Sequence, residues 1–355
     1  MKKKFIRRLP LMIVGIITII SLSGCGGADT VSEKNDKFGK VQDEVKYYTY
    51  DDIQEIDKSK DYSDIKIGIS MGTLNKDTFS EFGSSTAKKR IEEYGAQCVL
   101  TDANYDIATQ IANIEDLIQQ GCNLIMVNPV DGDALISAYE ECKDAGIPVV
   151  FWFQPVTENN KDLVTFVCGG DEALIAENAF KSLKDVMGSD GGKKKIVFLS
   201  ATVGYTMSDV REEKIKELVE ADDSIEFISD IQYTDWIRET AQDKMESLLS
   251  KYGNEINGVI AINDNTALGA YDALKTYGLQ DSIPVVSNNM YEEGYKSISE
   301  GKLYSSNTED IILETEFCID NCMKYLKGED VSYYNYDKTV NCNQKNYKDV
   351  KSPIY

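Results

Sequence analysis

The sequence predicts an α/β chain built as two doubly wound, parallel-sheet halves. Three observations carry this. From Asp64 onward, short continuous apolar runs alternate with segments whose apolar residues recur every three or four positions. The alternation runs its course twice. The chain has 355 residues, more than one compact core accommodates. Strands alternating with helices imply parallel sheets covered on both faces.

The elements follow in order. Strand-like "IKIGIS" (65–70) precedes helical "TFSEFGSSTAKKRIEEYG" (78–95), and strand "AQCVL" (96–100) precedes helix 107–121. Strand "NLIMV" (123–127), helix 132–146 and strand "IPVVFWF" (147–153) complete the first round. Gly95, Gly121 and Gly146 each stand where a helix should stop before a strand. The second round reads 163–168 strand, 171–188 helix, 194–200 strand, 208–220 helix, 224–233 strand and 238–253 helix. It ends with 258–262 strand, 265–278 helix, 283–287 strand and 291–301 helix. The polar joints "QPVTENNKD" and "GSDGGKK" read as loops.

The start of the chain lies apart from this pattern. Lys2, Lys3, Lys4, Arg7 and Arg8 precede an apolar run, Leu11 to Ile20, and then "LSGC" (22–25). A basic region, a short apolar region and small residues form an export signal. The ending resembles the lipobox of bacterial lipoproteins, which implies lipidation of Cys25 and an anchor on the outer face of the cell membrane. Residues 26–63 are polar and lack clear helical periodicity, so they read as a flexible tether.

The formal charge is −22. Removing residues 1–24 takes away five cations and no acid, leaving −27. Such a chain repels phosphate backbones, which argues against nucleic acid as a partner. There are eight cysteines and no histidine. Cys318 and Cys322 share a helix face, and the absence of any CxxC pair argues against zinc. "DANYD" (102–106) has the alternating oxygens of a calcium loop, but no Gly at position six or Glu at twelve, so it reads as a strand-to-helix turn. No nucleophile elbow, phosphate loop or dinucleotide fingerprint occurs, and without histidine the usual acid–base catalysis lacks its base. These features predict no enzyme, no metal and no cofactor.

In doubly wound sheets, ligands sit at the carboxyl ends of strands. Polar and aromatic groups recur there: Asn128 after "NLIMV", Trp152, Phe153 and Gln154 after "IPVVF", Asn263 and Asp264 after "GVIAI", and Asn288 and Asn289 after "IPVVS". Arg211 and Trp236 follow two further strands. Planar rings, amides and one guanidinium suit a neutral polyhydroxylated ligand.

From Asp64 to Gly328 these segments resemble a type I periplasmic binding protein, of the sugar-binding group that includes the ribose- and galactose/glucose-binding proteins. "IGISMGTLNKDTF", "IANIEDLIQQGCNLIMVNPVD", "AGIPVVF", "WIRETAQDKMESLL" and "VIAINDNTALGAYDALKTYG" carry the resemblance in order and spacing. It implies two lobes that close on ligand about a three-segment hinge, with crossovers near Gln154, Asn288 and Asn307. The expected organisation is a signal peptide at 1–24, a lipidated Cys25 with tether to 63, an N-terminal lobe of 64–154 plus 288–308, a C-terminal lobe of 155–287 plus 309–335, and a tail at 336–355. The implied ligand positions are Phe79, Asn128, Phe153, Gln154, Arg211, Trp236, Asn263, Asn289 and Glu309, with Thr73 and Asp77 bordering the first loop. Trp236 would stack on a sugar ring, while Arg211 and Asn263 would bind hydroxyls or the ring oxygen.

The implied function is that of a lipid-anchored, monomeric substrate-binding protein of an ABC importer, working with a membrane permease in a Gram-positive envelope. Presentation of ligand to a membrane receptor kinase is the alternative. The chain departs from the resemblance at Phe153-Gln154, where the sugar binders carry a polar residue and a cation, and at Asn289, where they carry Asp. Fewer charges and more aromatic surface imply a different or larger ligand.

Overall fold

The computed structural model of the chain describes residues 38–74, 78–189, 192–203 and 205–353, without the side chains of Thr78 and Phe79. The chain runs β1 (Val41–Tyr48), β2 (Lys66–Met71), α1 (Thr78–Tyr94), β3 (Gln97–Asp102), α2 (Ile107–Gln119), β4 (Leu124–Asn128), α3 (Ile136–Asp144), β5 (Val149–Trp152) and β6 (Phe166–Gly169). It continues through α4 (Glu172–Met187), β7 (Lys194–Ser200), α5 (Thr206–Glu220), β8 (Ile225–Phe227), β9 (Gln232–Tyr233), α6 (Arg238–Tyr252), β10 (Gly258–Ala261), α7 (Asp264–Thr276), β11 (Val285–Asn288) and α8 (Glu292–Ser299). It closes with β12 (Ser305–Asn307), α9 (Ile311–Leu326), β13 (Val331–Asp337) and β14 (Asn341–Asn343). Among the described residues no helix is long and apolar enough to cross a membrane.

The strands form two sheets. The first has the order β1-β13-β6-β5-β4-β2-β3, all parallel. The second has the order β14-β12-β11-β10-β7-β8, with β9 also on β7, and only β14 is antiparallel. Successive strand residues face opposite layers. Leu124 and Met126 join the core under α1 and α9, while Ile125 and Val127 join the core under α2 and α3. In the second sheet, Val259 and Ala261 face α6 and α7, while Ile260 and Ile262 face α4 and α5. Burying such side chains stabilises by about 1.5–3 kcal/mol each. The continuous apolar runs in the sequence are the consequence of this two-sided cover. Gly95, Gly121 and Gly146 all have left-handed φ, as the helix stops require.

Two sequence expectations are corrected. Residues 41–48 are a strand on the edge of the first sheet, not tether. "VQDEVKYY" is mostly exposed and rich in charge, so it shows no buried face to read. The crossovers also move. After β5 the chain adds one more parallel strand, β6, to the same sheet, pairing Phe166 with Val150. It passes to the second sheet only at residues 170–171, returns at 308–310 and passes again at 338–340. The extra strand shifts every later assignment, so β12 belongs to the second sheet and α9 and β13 to the first. The positions near Gln154 and Asn288 thus lie between strands of one sheet.

Each link carries a buried acid: Glu172, Glu309 and Asp337 are almost fully inaccessible. Glu314, one turn into α9, is fully buried, and neither of its carboxyl oxygens has a hydrogen-bond partner among the described residues. Burial, followed by the charges of Asp337, Glu309 and Glu172, drives it well above the ordinary glutamate range. For Asp337, burial and then the charge of Glu309 push the carboxyl up to about 8, against hydrogen bonds from the Asp310 N–H and the Thr339 hydroxyl.

A raised pKa means the folded chain keeps a proton that the unfolded chain releases near pH ~3.9. The stability from Asp337 is therefore complete below that pH and is lost as pH rises toward about 8. Within that window the slope is at most about 1.4 kcal/mol per pH unit for one proton. Asp337→Asn is expected to flatten the fall of the melting temperature between pH 5 and 8, measured by scanning calorimetry. Identical slopes in variant and native chain would contradict the assignment.

Candidate functional site

Six non-glycine residues among those described have left-handed φ. They fall in four turns, each following a strand: Asn104 and Tyr105 after β3, Phe153 after β5, Asp235 and Trp236 after β9, and Asn289 after β11. The two sheets share the strand pattern β5-β4-β2-β3 and β11-β10-β7-β8/β9, so the turns occupy equivalent places in both halves. Left-handed φ costs an L-residue roughly 1–2 kcal/mol. Its recurrence at corresponding strand ends marks one region in each half.

In the first half, Asn128 ends β4 and donates its amide to the Trp152 carbonyl at 3.2 Å, joining the tips of β4 and β5. Buried Gln110 on α2 donates to the Asn128 carbonyl at 2.9 Å and accepts from the Val130 N–H at 2.8 Å, fixing the loop after β4. Phe153 turns inward and lies against Trp152, with ring centroids 4.3 Å apart. Gly83 on α1 makes room, since a Cβ there would meet the Phe153 ring at 2.9 Å. Phe153 is thus 2% exposed. Thr73 is buried two residues past β2. Asp77 lies outside the described residues, as does the side chain of Phe79.

In the second half, Arg211 on α5 is 1% exposed and acts as a junction. Its Nε donates to Glu172 at 2.5 Å, Nη1 to the Ile262 carbonyl and Asn289 Oδ1 at 2.9 Å each, and Nη2 to Glu309 at 3.1 Å. The Asn289 amide also donates to Glu309, at 2.5 Å. Burial opposes the charge of Arg211, but Glu172 and Glu309 outweigh it and hold the guanidinium above its usual pKa. One cation serves two carboxylates, and burial pushes Glu172 up to about 8 against the pull of Arg211. Among the described residues, four of the five guanidinium N–H groups are engaged, and the second on Nη2 is the remaining one.

Asn263 caps α7 by accepting from the Thr266 N–H at 2.9 Å. Its neighbour Asp264 is buried and accepts from the Ser287 hydroxyl at 2.5 Å, the Ser306 hydroxyl at 2.8 Å and the Tyr291 N–H at 2.8 Å. Burial raises its pKa to about 6, against these three donors. Gly294 is required beside it, because a Cβ there would sit 1.8 Å from Asp264 Oδ2. Asp264 therefore ties β10, β11 and β12 together at their ends. Half-buried Trp236 meets Tyr205 edge to face at 5.6 Å.

A contact between strand-end loops joins the halves: Gln154, following the first sheet's β5, donates to the Tyr205 hydroxyl at 2.6 Å. Gln154 and Trp236 thus converge on Tyr205, while Arg211, Asn289 and Glu309 form one network beside Asn263. Asn128 and Phe153 meet at the β4–β5 tips. Sequence reasoning passed over Gln110, Tyr205, Glu172 and Tyr105. Tyr105 is the counterpart of Trp236 and is 47% exposed. The legible signal for it was an aromatic at the same step after a strand in both halves, "DANYD" and "TDWIR".

Residues 67–330 match the family model described as periplasmic binding protein domain. Among curated proteins, the chain is 29% identical over 235 residues to a xylitol-binding protein of Mycolicibacterium smegmatis, spanning 66% of this chain and 65% of that one. It is 28% identical over 277 residues to a putative rhizopine-binding protein of Rhizobium meliloti, at 75% and 85% coverage. The ribose import binding protein of Escherichia coli is 27% identical over 265 residues, at 75% and 86%. Among solved structures, an ABC transporter solute binding protein from Mycobacterium smegmatis with bound glycerol has TM-score 0.71 and 27% identity, over 80% of this chain and 96% of that one. One from Bacillus halodurans with bound myo-inositol has TM-score 0.73, covering 81% and 98%; at 24% identity it shows the shared fold. With two parallel sheets, three links and a family match over most of its length, the chain belongs to the type I periplasmic binding proteins of the ribose-binding group, a family of binding proteins and not enzymes.

Proposed function

We propose that this chain is the substrate-binding protein of an ABC importer. It takes a neutral, polyhydroxylated ligand, a sugar or cyclic polyol, between its two halves and hands it to a membrane permease as a monomer. The observation that carries the reading is the Gln154–Tyr205 bridge, which brings the strand ends of both sheets to one place beside Trp236. Trp236 and Phe153 would cover C–H faces, and the free amide of Asn263, the Asn128 side chain and the remaining Arg211 N–H would meet hydroxyls. Asn289 and Glu309 hold Arg211 and shape its last donor. The resemblance adds Thr73, Asp77 and Phe79 of the first loop to the proposed ligand positions. The relatives named for xylitol, rhizopine and ribose, and the structure holding glycerol, support a polyol-like ligand. So does the neutral pair Phe153 and Gln154 in the sequence.

The anchor rests on the residue pattern alone, since Cys25 lies outside the described residues. The chain is proposed to sit on the outer face of the membrane, held by lipid on Cys25.

Myo-inositol, xylitol, ribose and xylose, each added in excess, are expected to include at least one that raises the melting temperature. A ligand at a hundred times its Kd stabilises by about 2.7 kcal/mol. A flat response across this panel and a wider sugar set, measured by scanning fluorimetry, would contradict the proposal. Trp236→Ala is expected to weaken binding of the active compound by about 2 kcal/mol, read by calorimetric titration. Undiminished affinity would remove the stacking role. Cys25→Ser should abolish lipid on the exported chain, checked by mass spectrometry of the N-terminal peptide, and an unchanged lipid mass would refute the anchor.

A further inference from the structure

The segment before the matched family region makes contacts that the ligand-binding reading does not use. β1 runs parallel to β13, from Val41 opposite Val331 to Tyr48 opposite Asp337, and delivers "YYTY" (47–50) to the links between the sheets. Tyr48 is fully buried and stacks on Phe317, with centroids 3.8 Å apart and planes at 7°. Its carbonyl accepts from the Lys338 N–H at 3.0 Å, in the third link. Tyr47 donates its hydroxyl to Asp171 Oδ2 at 2.5 Å, in the first link. Tyr50 donates to Asp310 Oδ2 at 2.7 Å, in the second.

The two tyrosine contacts repeat one arrangement. Asp171 uses its other oxygen to cap α4, accepting from the Leu174 N–H at 3.0 Å. Asp310 uses its other oxygen to cap α9, accepting from the Ile312 and Leu313 N–H groups at 3.2 and 3.1 Å. Each phenol therefore braces the carboxylate that starts the helix leaving a link. Burial, and then the hydrogen bond to Asp171, pushes Tyr47 up to about 12, so it remains a donor. Tyr47 is special in its reach: it sits on the first sheet, while α4 packs on β10, β11 and β12 of the second.

We propose that residues 41–52 are a strap that grips all three links, with Tyr47 and Tyr50 as positioning residues that set how readily the two halves part. The proposal rests on the reading of the halves as a closing clamp. Hinge motion concentrates torsional change in a few link residues, and a contact made in one arrangement only shifts the balance toward it. The strap contacts coexist here with the Gln154–Tyr205 bridge, and the proposal requires that they weaken when the halves separate. Losing the Tyr47 hydroxyl would shift the balance toward separated halves by roughly two- to tenfold.

Hydrogen exchange on the full-length chain without ligand, read by mass spectrometry, tests this. In Tyr47→Phe, amides of 170–174 and 308–313 should exchange severalfold faster. So should those of 205–209, which lie on the other half and away from the strap, while the melting temperature stays within a few degrees. Asp171→Asn keeps a cap acceptor but weakens the phenol contact, and should reproduce the pattern if Tyr47→Phe folds poorly. Acceleration confined to 41–52, or none, would overturn the proposal. The clamp reading is checked separately in the native chain: millimolar myo-inositol, xylitol or ribose should slow exchange at 152–154 and 205–209 together. If none does so, the clamp reading fails whatever the tyrosine variants show.

Discussion

The arrangement of this molecule depends on one guanidinium buried between two carboxylates. Arg211 reaches Glu172, which starts the helix after the first link, and Glu309, which lies in the second. It also holds the end of β10 through the Ile262 carbonyl and the turn after β11 through Asn289. Taking each ion out of water costs several kcal/mol, and attraction in the interior repays this only when the geometry is good and the remaining hydrogen bonds are made. Such a cluster is a weak source of stability. What it supplies is placement: two links, one strand end and one strained turn share a single rigid, forked donor. An apolar substitute of equal volume would fill the space without fixing any of these directions.

The acids at the links follow from the same constraint. Three segments must cross between sheets at one place, so their polar backbones and side chains are packed against one another and away from water. Asp171 and Asp310 find helix N–H groups and tyrosine hydroxyls. Glu172 and Glu309 find Arg211. Asp337 and Glu314 find no cation, and their carboxyls rise accordingly, burial being the first cause in both. Burial there favours the protonated form of both carboxyls.

The repeating layers were legible because every central strand is covered on both faces and its neighbouring helices on one. "NLIMV" and "GVIAI" could hardly be anything but buried strands, and the glycine stops bounded the helices. The links were not legible. β6 follows a polar joint and looked like the start of the second half, and "SSN" of β12 has no apolar signature although it is fully buried. β1 hid because a parallel edge strand needs only backbone partners, so charged side chains are tolerated there. For the proposed site, strand-end position and resemblance pointed to Asn128, Gln154, Arg211 and Trp236. Glu172 escaped because an acid in the first turn of a helix is usually explained by the helix dipole. Gln110 escaped because a glutamine in an amphipathic helix usually faces water.

The turns argue most directly for use of their side chains. Glycine adopts a left-handed φ at no steric cost, and the chain places glycine at helix ends where only the turn matters, at Gly95, Gly121, Gly146 and Gly278. At the strand ends it places Tyr105, Phe153, Trp236 and Asn289 instead, accepting the strain each time. Phe153 fills space against Trp152, and Asn289 bridges Arg211 and Glu309, so two of the four have structural duties in view. Trp236 meets Tyr205 edge to face and is partly buried against the core of the second half, and Tyr105 is 47% exposed. The equivalent placement of the two rings after corresponding strands of the two halves suits a flat guest held from both sides.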